Sequence, residues 1–311
     1  MFPLPANDVP QADNSARPVV LTRVDEPFVQ LPPKDNFYQS VSFFPMPFAL
    51  ITTINERGTT SIGPHSLVFP FDVSESHSMM LVSRSSSNTA TNLRRTGKCA
   101  LNFIEFNDQW LKTVVALGYP GQTPEDKMKD IPFKLETSPN EIFRDDPDYP
   151  LIMRDAFQVY ECVTDGTFEY KPHREAAPPL VEGFFVLQVR NVLLKESIKE
   201  KLDSRRGFPD MALSYGFRGG GEFWFARHSQ PFHIPVPRHK GFDHGRIYYL
   251  ANKVDQEVRF TEDACKKLTG VPQVFLEVVI GGLIAEAKTR QISMIDADFV
   301  DEVEAKREAQ P

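Results

Sequence analysis

Residues 48–69 read FALITTINERGTTSIGPHSLVF, and this stretch decides the fold. Two runs rich in β-branched residues flank Glu56-Arg57-Gly58, and the glycine can adopt the positive φ that a tight turn requires. The pattern therefore predicts a β-hairpin. Further strand patterns follow at SMMLVS (78–83), CALNFIEF (99–106), DAFQVYECVT (155–164), GFFVLQVRNVLL (183–194) and GEFWFAR (221–227). Several strands at irregular spacing, with few helices between them, indicate a β-rich α+β protein built around a barrel.

Local signals also predict helices and surface segments. The segment NTATNLRR (88–95) predicts a short helix that begins at Ser87 or Asn88 as N-cap and ends at Gly97. Residues 118–150 hold many proline and charged residues around short apolar pieces, which predicts a long excursion over the surface.

The C-terminal portion differs in kind and predicts three helices. Thr261 is placed to cap a helix that Gly270 ends, Pro272 stands at a first-turn position, and a last helix is expected at about 296–307. The middle helix is expected to bury a stripe at helical spacing, formed by Val271, Val274, Phe275, Val278, Val279, Leu283, Ile284 and Ala287. The predicted organisation is an extended N-terminal arm or a loose tail at 1–36, a barrel domain at 37–235, a linker at 236–254 and a small helical module at 255–311.

Composition excludes several classes of protein. The 311 residues carry a formal net charge of -7 and a pI near 5.6, which disfavours nucleic acid or an anionic membrane as the main partner. Cys99, Cys162 and Cys265 are odd in number and far apart in the sequence, so neither a disulfide framework nor a thiolate zinc site is expected. The first residues lack the pattern of a signal peptide, and we expect a cytoplasmic protein.

The order of pieces from Phe44 to Phe103 resembles the flavin reductase family, which has an FMN-binding split-barrel fold. The family pattern has a Pro-x-ALVTT-like strand, a turn glycine, a Pro-x-Ser strand, a Ser/Arg-rich loop, a short helix, a Thr-Gly pair and a further strand. The resemblance covers about residues 37–230, and its matching residues are Pro47, Ala49, Thr52, Thr53, Gly58, Ser61, Gly63, Pro64, Ser66, Ser83, Arg84, Thr89, Asn92, Thr96, Gly97 and Asn102.

The resemblance implies an FMN-dependent oxidoreductase in which NAD(P)H supplies hydride, a flavin that lies at the interface of a homodimer, and a small-molecule substrate or flavin as acceptor. The chemistry of the residues agrees, because a serine-rich loop that enters a helix N-terminus beside an arginine offers hydroxyls, backbone amides and a cation to a phosphate. Taken singly, such a loop and a lone histidine are ordinary features, and the order of elements is what favours flavin. The candidate cofactor-binding residues are Ser61, Gly63, Pro64, His65, Ser66, Ser83, Arg84, Ser85, Ser87, Asn88 and Thr89, with His65 also the candidate catalytic residue.

Four histidines, at 228, 233, 239 and 244, lie close together in the sequence. Their spacing matches no metal-binding pattern, and arginine and lysine residues lie among them, so no metal site is predicted. One or two of them near the flavin face would bind an anionic or phenolic group; a polar linker is the other interpretation.

The helical module is similar to the small helical domain of the B subunit of light-independent protochlorophyllide reductase. The matching residues are Phe260, Thr261, Ala264, Leu268, Val271, Pro272, Phe275, Ala285 and Ala287. By itself this implies a packing or recognition module. A second hypothesis for the whole chain is therefore a non-catalytic flavin- or tetrapyrrole-binding protein with a partner-docking module.

Overall fold

A computed structural model describes residues 25–34, 36–119, 123–164, 182–204, 207–217, 221–228, 231–232, 234 and 244–308. The chain divides into two compact units, Met1–Pro231 and Phe232–Pro311. In the described part of the predicted N-terminal arm, residues 25–34 are exposed and have no regular secondary structure. Among the described residues, no helix combines the length and the apolar character that a membrane span requires.

The first unit is built on antiparallel strands. They are β1 Met46–Pro47, β2 Ala49–Ile54, β3 Thr60–His65, β4 Val68–Asp72, β5 Ser78–Arg84, β6 Lys98–Phe103, β7 Leu135–Glu136, β8 Ile152–Met153, β9 Gln158–Val163, β10 Glu182–Leu194, β11 Ala212–Phe217 and β12 Phe223–Arg227. Seven of them form one curled half-barrel sheet in the order β3-β2-β6-β9-β10-β5-β4, while β1-β11-β12 and β7-β8 form smaller sheets. The predicted fold class, strand-rich α+β, is confirmed.

The hairpin predicted from residues 48–69 forms as β2 and β3, paired from Ala49 opposite His65 to Ile54 opposite Thr60. Gly58 has a φ of +74° in the turn. The Asn55 side chain accepts hydrogen bonds from the backbone N–H groups of Arg57 and Thr59, each at 3.0 Å, and so fixes the turn from inside.

The helices of the first unit are α1 Phe37–Ser40, α2 Asn88–Thr96, α3 Asp108–Gly118, α4 Pro124–Met128, α5 Glu141–Arg144 and α6 Glu196–Ser204. The prediction of α2 is confirmed: the Ser87 side chain caps it, and Gly97 ends it in the left-handed conformation. The sequence analysis missed α3, although Leu111, Val114 and Leu117 occur at helical spacing along it and are buried.

Successive residues of β2 point to opposite faces of the large sheet and reach two different cores. Leu50 belongs to the core that includes α3 and the segment between α3 and β9, whereas Ala49 and Ile51 belong to the core under α2. Residues 118–150 were expected to run over the surface, but Phe133, Phe143 and Tyr149 are buried in the first core. That segment therefore covers one face of the sheet.

The second unit consists of α7 His244–Val254, β13 Arg259–Phe260, α8 Glu262–Lys267, a 3-10 turn at Leu268–Gly270, α9 Gln273–Thr289, β14 Met294–Ile295 and α10 Ala297–Glu308. Thr261 caps α8 by accepting a hydrogen bond from the Ala264 N–H at 3.2 Å, as predicted. Residues 244–254, assigned to a linker from the sequence, instead form α7, because Ile247 and Ala251 are fully buried in the core of this unit.

The buried face of α9 differs from the predicted stripe. Leu276, Ile280, Leu283, Ile284 and Ala287 are buried, whereas Phe275 and Val278 are 59% and 73% exposed. Almost every position in the first part of α9 is apolar, so helical periodicity alone does not select one face. The side chain of Val274 lies outside the described residues.

Candidate functional site

The loop between β5 and α2 is closed by its own serines. Ser83 Oγ lies 2.8 Å from Ser87 Oγ, and Ser87 Oγ accepts a hydrogen bond from the Ala90 N–H at 3.0 Å. The Ser87 carbonyl accepts from the Thr91 N–H. The amides of Asn88 and Thr89, at the first two positions of the helix, find no acceptor among the described residues, so the N-terminus of α2 can bind an anion.

Arg84 is the cation beside this helix N-terminus. Its side chain is exposed and forms no hydrogen bond or ion pair with the described part of the chain. Its own carbonyl accepts from the Ser87 N–H at 2.9 Å, which fixes the backbone of the loop. The guanidinium is therefore available to a ligand that also reaches the helix N-terminus.

Arg94 contributes to the same loop and was not found by the sequence analysis. Its guanidinium donates to the Ser85 carbonyl at 2.7 Å and to Ser85 Oγ at 2.8 Å. It passes over the Phe185 ring at 5.5 Å and beside Gly183, where an added Cβ would lie 3.0 Å from Arg94 Nη2. The pairing of β10 with β5 brings Gly183 and Phe185 beside this loop. No local pattern in the sequence predicts that pairing.

The predicted strand residues approach α2 through Thr89. His65 Nε2 lies 3.0 Å from Thr89 Oγ1, and a Cβ added to Gly63 would lie 2.4 Å from the same oxygen. The absence of a side chain at Gly63 leaves room for the Thr89 hydroxyl to approach the strand closely. Thr89 thus joins β3 to the start of α2, and the strand and the loop form one site.

His65 is neutral at physiological pH, because burial lowers the pKa of its imidazole from 6.5 to about 4. A neutral ring has one nitrogen that donates and one that accepts, so its bond to the Thr89 hydroxyl can run in either direction. In this environment His65 is suited to orienting neighbours by hydrogen bonding rather than to carrying a positive charge.

The remaining predicted residues of the strand lie around this pair. Ser61 is buried, and its hydroxyl has no hydrogen-bond partner among the described residues. Ser66 follows the end of β3 and is half-buried. Pro64 points to the other face of the sheet, where its Cγ lies 3.2 Å from the Cβ position of Gly118. One edge of β3 has no strand partner among the described residues, so its outward backbone groups are available.

These groups fit FMN. Two backbone amides and an arginine without partners in the described ranges, together with serine hydroxyls, match a phosphate dianion. The buried Ser61 hydroxyl and the outer edge of β3, also without partners there, offer hydrogen-bonding groups to the polar edge of a flavin ring.

The structure describes two of the four histidines in the 228–244 segment, and these two belong to different units. His228 follows β12, where its backbone N–H donates to the Met211 carbonyl, and His244 begins α7 in the second unit. His233 and His239 lie outside the described residues. Within the described ranges, no group of three or more His, Cys, Asp or Glu side chains is arranged to hold a metal ion.

Comparison with known proteins gives similarity at the level of structure. No family model matches the chain, and no curated protein matches it by sequence. Among solved structures, it is similar to 2-nitrobenzoate 2-nitroreductase from Pseudomonas fluorescens (16% identity, 63% of this chain and 87% of that chain, TM-score 0.47). It is also similar to flavoredoxin from Methanosarcina acetivorans (14%, 64% and 92%, 0.46). A third is an FMN-binding protein from Thermus thermophilus with bound p-hydroxybenzaldehyde (15%, 68% and 99%, 0.46). At these identities and scores the likeness does not determine an activity, which depends on the residues of the site.

Proposed function

We propose that the protein is an FMN-dependent oxidoreductase of the flavin reductase-like kind, which uses NAD(P)H to reduce flavin or an organic substrate. The observation that carries the proposal is the anion site at the start of α2. Arg84 precedes α2 by one turn of loop, and neither its guanidinium nor the amides of Asn88 and Thr89 have a hydrogen-bond partner in the described part of the chain. One edge of the neighbouring strand β3 is likewise unpaired there.

In this proposal the phosphate end of FMN is held by Arg84, by the α2 amides and by the Ser85 and Ser87 hydroxyls, with Ser83 and Arg94 keeping the loop in shape. Hydrogen bonds pre-organise the loop: one joins Ser83 and Ser87, and two run from Arg94 to Ser85. This pre-organisation lowers the entropic cost of binding.

Ser61, Gly63, His65 and Ser66 are proposed to lie along the ring, whereas Pro64 contributes only its backbone because its side chain points to the other face of the sheet. When bound, FMN supplies the redox chemistry, accepting hydride and passing electrons on. The neutral His65, which was named as the candidate catalytic residue without a defined role, is proposed to orient the ring or substrate by a hydrogen bond while Thr89 holds it.

A homodimer is part of the proposal. Strand β4 is at the other edge of the large sheet, and Phe69 on it is 43% exposed. A strand edge that is unpaired within the described ranges and carries an exposed aromatic side chain favours association with a second copy.

The second candidate function is a non-catalytic flavin- or tetrapyrrole-binding protein whose helical unit docks a partner. The exposed Phe275 and Val278 on α9 favour such a docking role, because large apolar side chains on one helix face bind other proteins more often than they serve a redox step.

Visible spectroscopy of the purified full-length protein tests the proposal. The protein loaded with FMN is mixed with NADH or NADPH without oxygen, and bleaching of the flavin band is expected with at least one donor. A flavin that binds but resists both donors supports the carrier function instead. The absence of FMN binding in the wild-type protein refutes both the site and the proposed activity.

A further inference from the structure

Two of the three cysteines, distant in the sequence, are cross-strand partners in the large sheet. Cys99 of β6 lies directly opposite Cys162 of β9, and both are completely buried free thiols. Cys265, the third, is in the second unit and is also a free thiol.

Residues directly opposite each other in an antiparallel pair point to the same face, with Cα atoms about 4.5–5.5 Å apart. That separation lies within the range of about 4.4–6.8 Å over which a disulfide bridges two residues. Cys99 and Cys162 both belong to the core under α2, so their side chains share one face of the sheet.

The two thiols also influence each other. Burial raises the pKa of Cys162 well above its ordinary value, and the neighbouring Cys99 thiol raises it further. The Cys162 thiol also lies within hydrogen-bond range of the Tyr160 carbonyl, at 3.6 Å, to which it donates. In the closed sheet the pair is therefore held as thiols and reacts slowly, since the thiolate is the nucleophile.

The pair lies close to one end of the ladder between β6 and β9. One further rung, Lys98 opposite Val163, separates it from the bond that the Thr164 N–H donates to the Gly97 carbonyl at 2.8 Å. Gly97 is also where α2 ends. Sheet ends open more readily than sheet centres, so a local opening of a few bonds exposes the thiols without global unfolding.

We propose that Cys99 and Cys162 are a redox modification site. A hydroperoxide oxidises the two thiols, and they form an intramolecular disulfide. One sulfur attacks the peroxide O–O bond and becomes a sulfenic acid, releasing an alcohol or, from hydrogen peroxide, water. The second sulfur then attacks this sulfenic sulfur, forms the S–S bond and releases water. Overall the two thiols lose two electrons and two protons, and the peroxide is reduced. A dithiol reductant reverses the reaction by thiol–disulfide exchange.

The test uses the full-length protein treated with hydrogen peroxide, then denatured and labelled with a maleimide. The expected product has no cross-link between chains, is lighter by two hydrogens before labelling, and carries one label in place of three, on Cys265. Peptide mapping without reduction is expected to yield a cross-linked pair containing Cys99 and Cys162, and dithiothreitol restores all three labels.

The Cys265→Ser variant keeps both thiols of the pair and is expected to form the same cross-link, whereas Cys162→Ser is not. A low concentration of urea, below the unfolding transition, is expected to speed the oxidation because it favours local opening. Labelling of all three thiols after peroxide treatment, or oxidation to sulfinic acid without a cross-link, overturns the proposal. Peptide mapping of the wild-type protein distinguishes these outcomes even where Cys162→Ser does not fold.

Discussion

Gly63→Ala tests whether the close contact between β3 and α2 is what builds the site. In a strand without a close neighbour this change stabilises by roughly 0.5–1 kcal/mol, because alanine loses less backbone entropy on folding. Here the new Cβ lies 2.4 Å from Thr89 Oγ1 and 3.2 Å from His65 Nε2. Overpacking of a close-packed site costs about 1–3 kcal/mol, and displacing Thr89 also breaks its bond to His65, worth about 0.5–1.5 kcal/mol.

The steric and hydrogen-bond costs exceed the entropic gain, so Gly63→Ala is expected to destabilise the protein by about 1–3 kcal/mol. Thr89→Ala removes the oxygen that the Cβ meets, at the cost of one hydrogen bond. The double variant should therefore lose less free energy of unfolding than the two single variants lose together, and the difference should be about 1 kcal/mol or more.

Urea unfolding at neutral pH measures all four proteins of this cycle, and FMN titration follows the site separately. Gly58→Ala is a control for backbone strain, since Gly58 has a φ of +74° but no atom within 4 Å of its Cβ position. That variant should lose stability without any coupling to Thr89→Ala. Strict additivity of Gly63→Ala and Thr89→Ala, or a Gly63→Ala variant more stable than wild type, refutes the reasoning.

Three further predictions address charge. Arg84→Ala is expected to weaken FMN binding by about 10- to 150-fold, equivalent to 1.5–3 kcal/mol for one charge-assisted contact, with an unchanged urea midpoint. Arg154→Ala, another exposed arginine, should leave retention of FMN after dialysis as in wild type. Because burial lowers the pKa of His65 from 6.5 to about 4, the unfolded chain binds the extra proton in this range, and stability should fall as pH drops from 6.5 to 4. The free energy of unfolding should fall by roughly 2–3 kcal/mol over this pH range in the wild-type protein, and this loss should be absent in His65→Gln. The same pH dependence of unfolding in both proteins contradicts the prediction. Glu161→Gln is expected to stabilise the protein by about 1–3 kcal/mol in thermal unfolding, since Glu161 is fully buried and only one of its oxygens is bonded, to Asn191 at 2.8 Å. A lower unfolding temperature for this variant contradicts that account.

Local signals were sufficient for the central hairpin and for α2. The conformations that matter there depend on residues only a few positions apart: the turn at Gly58, the N-cap at Ser87 and the helix end at Gly97. The neighbouring sequence is therefore enough to predict each of them. The predicted loop and strand residues lie in one site for the same reason, because β3, β5 and α2 were placed correctly. The predicted buried face of α9 was right at Leu283, Ile284 and Ala287 but wrong at Phe275 and Val278. Many apolar residues make several faces of this helix equally suitable for burial, and only the neighbours that pack against it decide.

The contacts missed from the sequence join elements that are distant along the chain, either a helix and a strand or two strands in one register. Asn92 donates to Thr53 Oγ1 across 39 residues of chain, and His65 meets Thr89 across 24. Along β9 the alternation of Val159, Glu161 and Val163 with Tyr160 and Cys162 shows which side chains share a face, but not which residue of β6 each one opposes. Because the side-chain period of a strand is two, a slip of one residue would move the buried Glu161 and its neighbours to the opposite face. A slip of two residues keeps every side chain of β9 in its own core but would place Tyr160 or Thr164 rather than Cys162 opposite Cys99. The thiol pair thus depends on one register among the few that the alternation permits. For this reason the positions of the three cysteines in the sequence did not predict it.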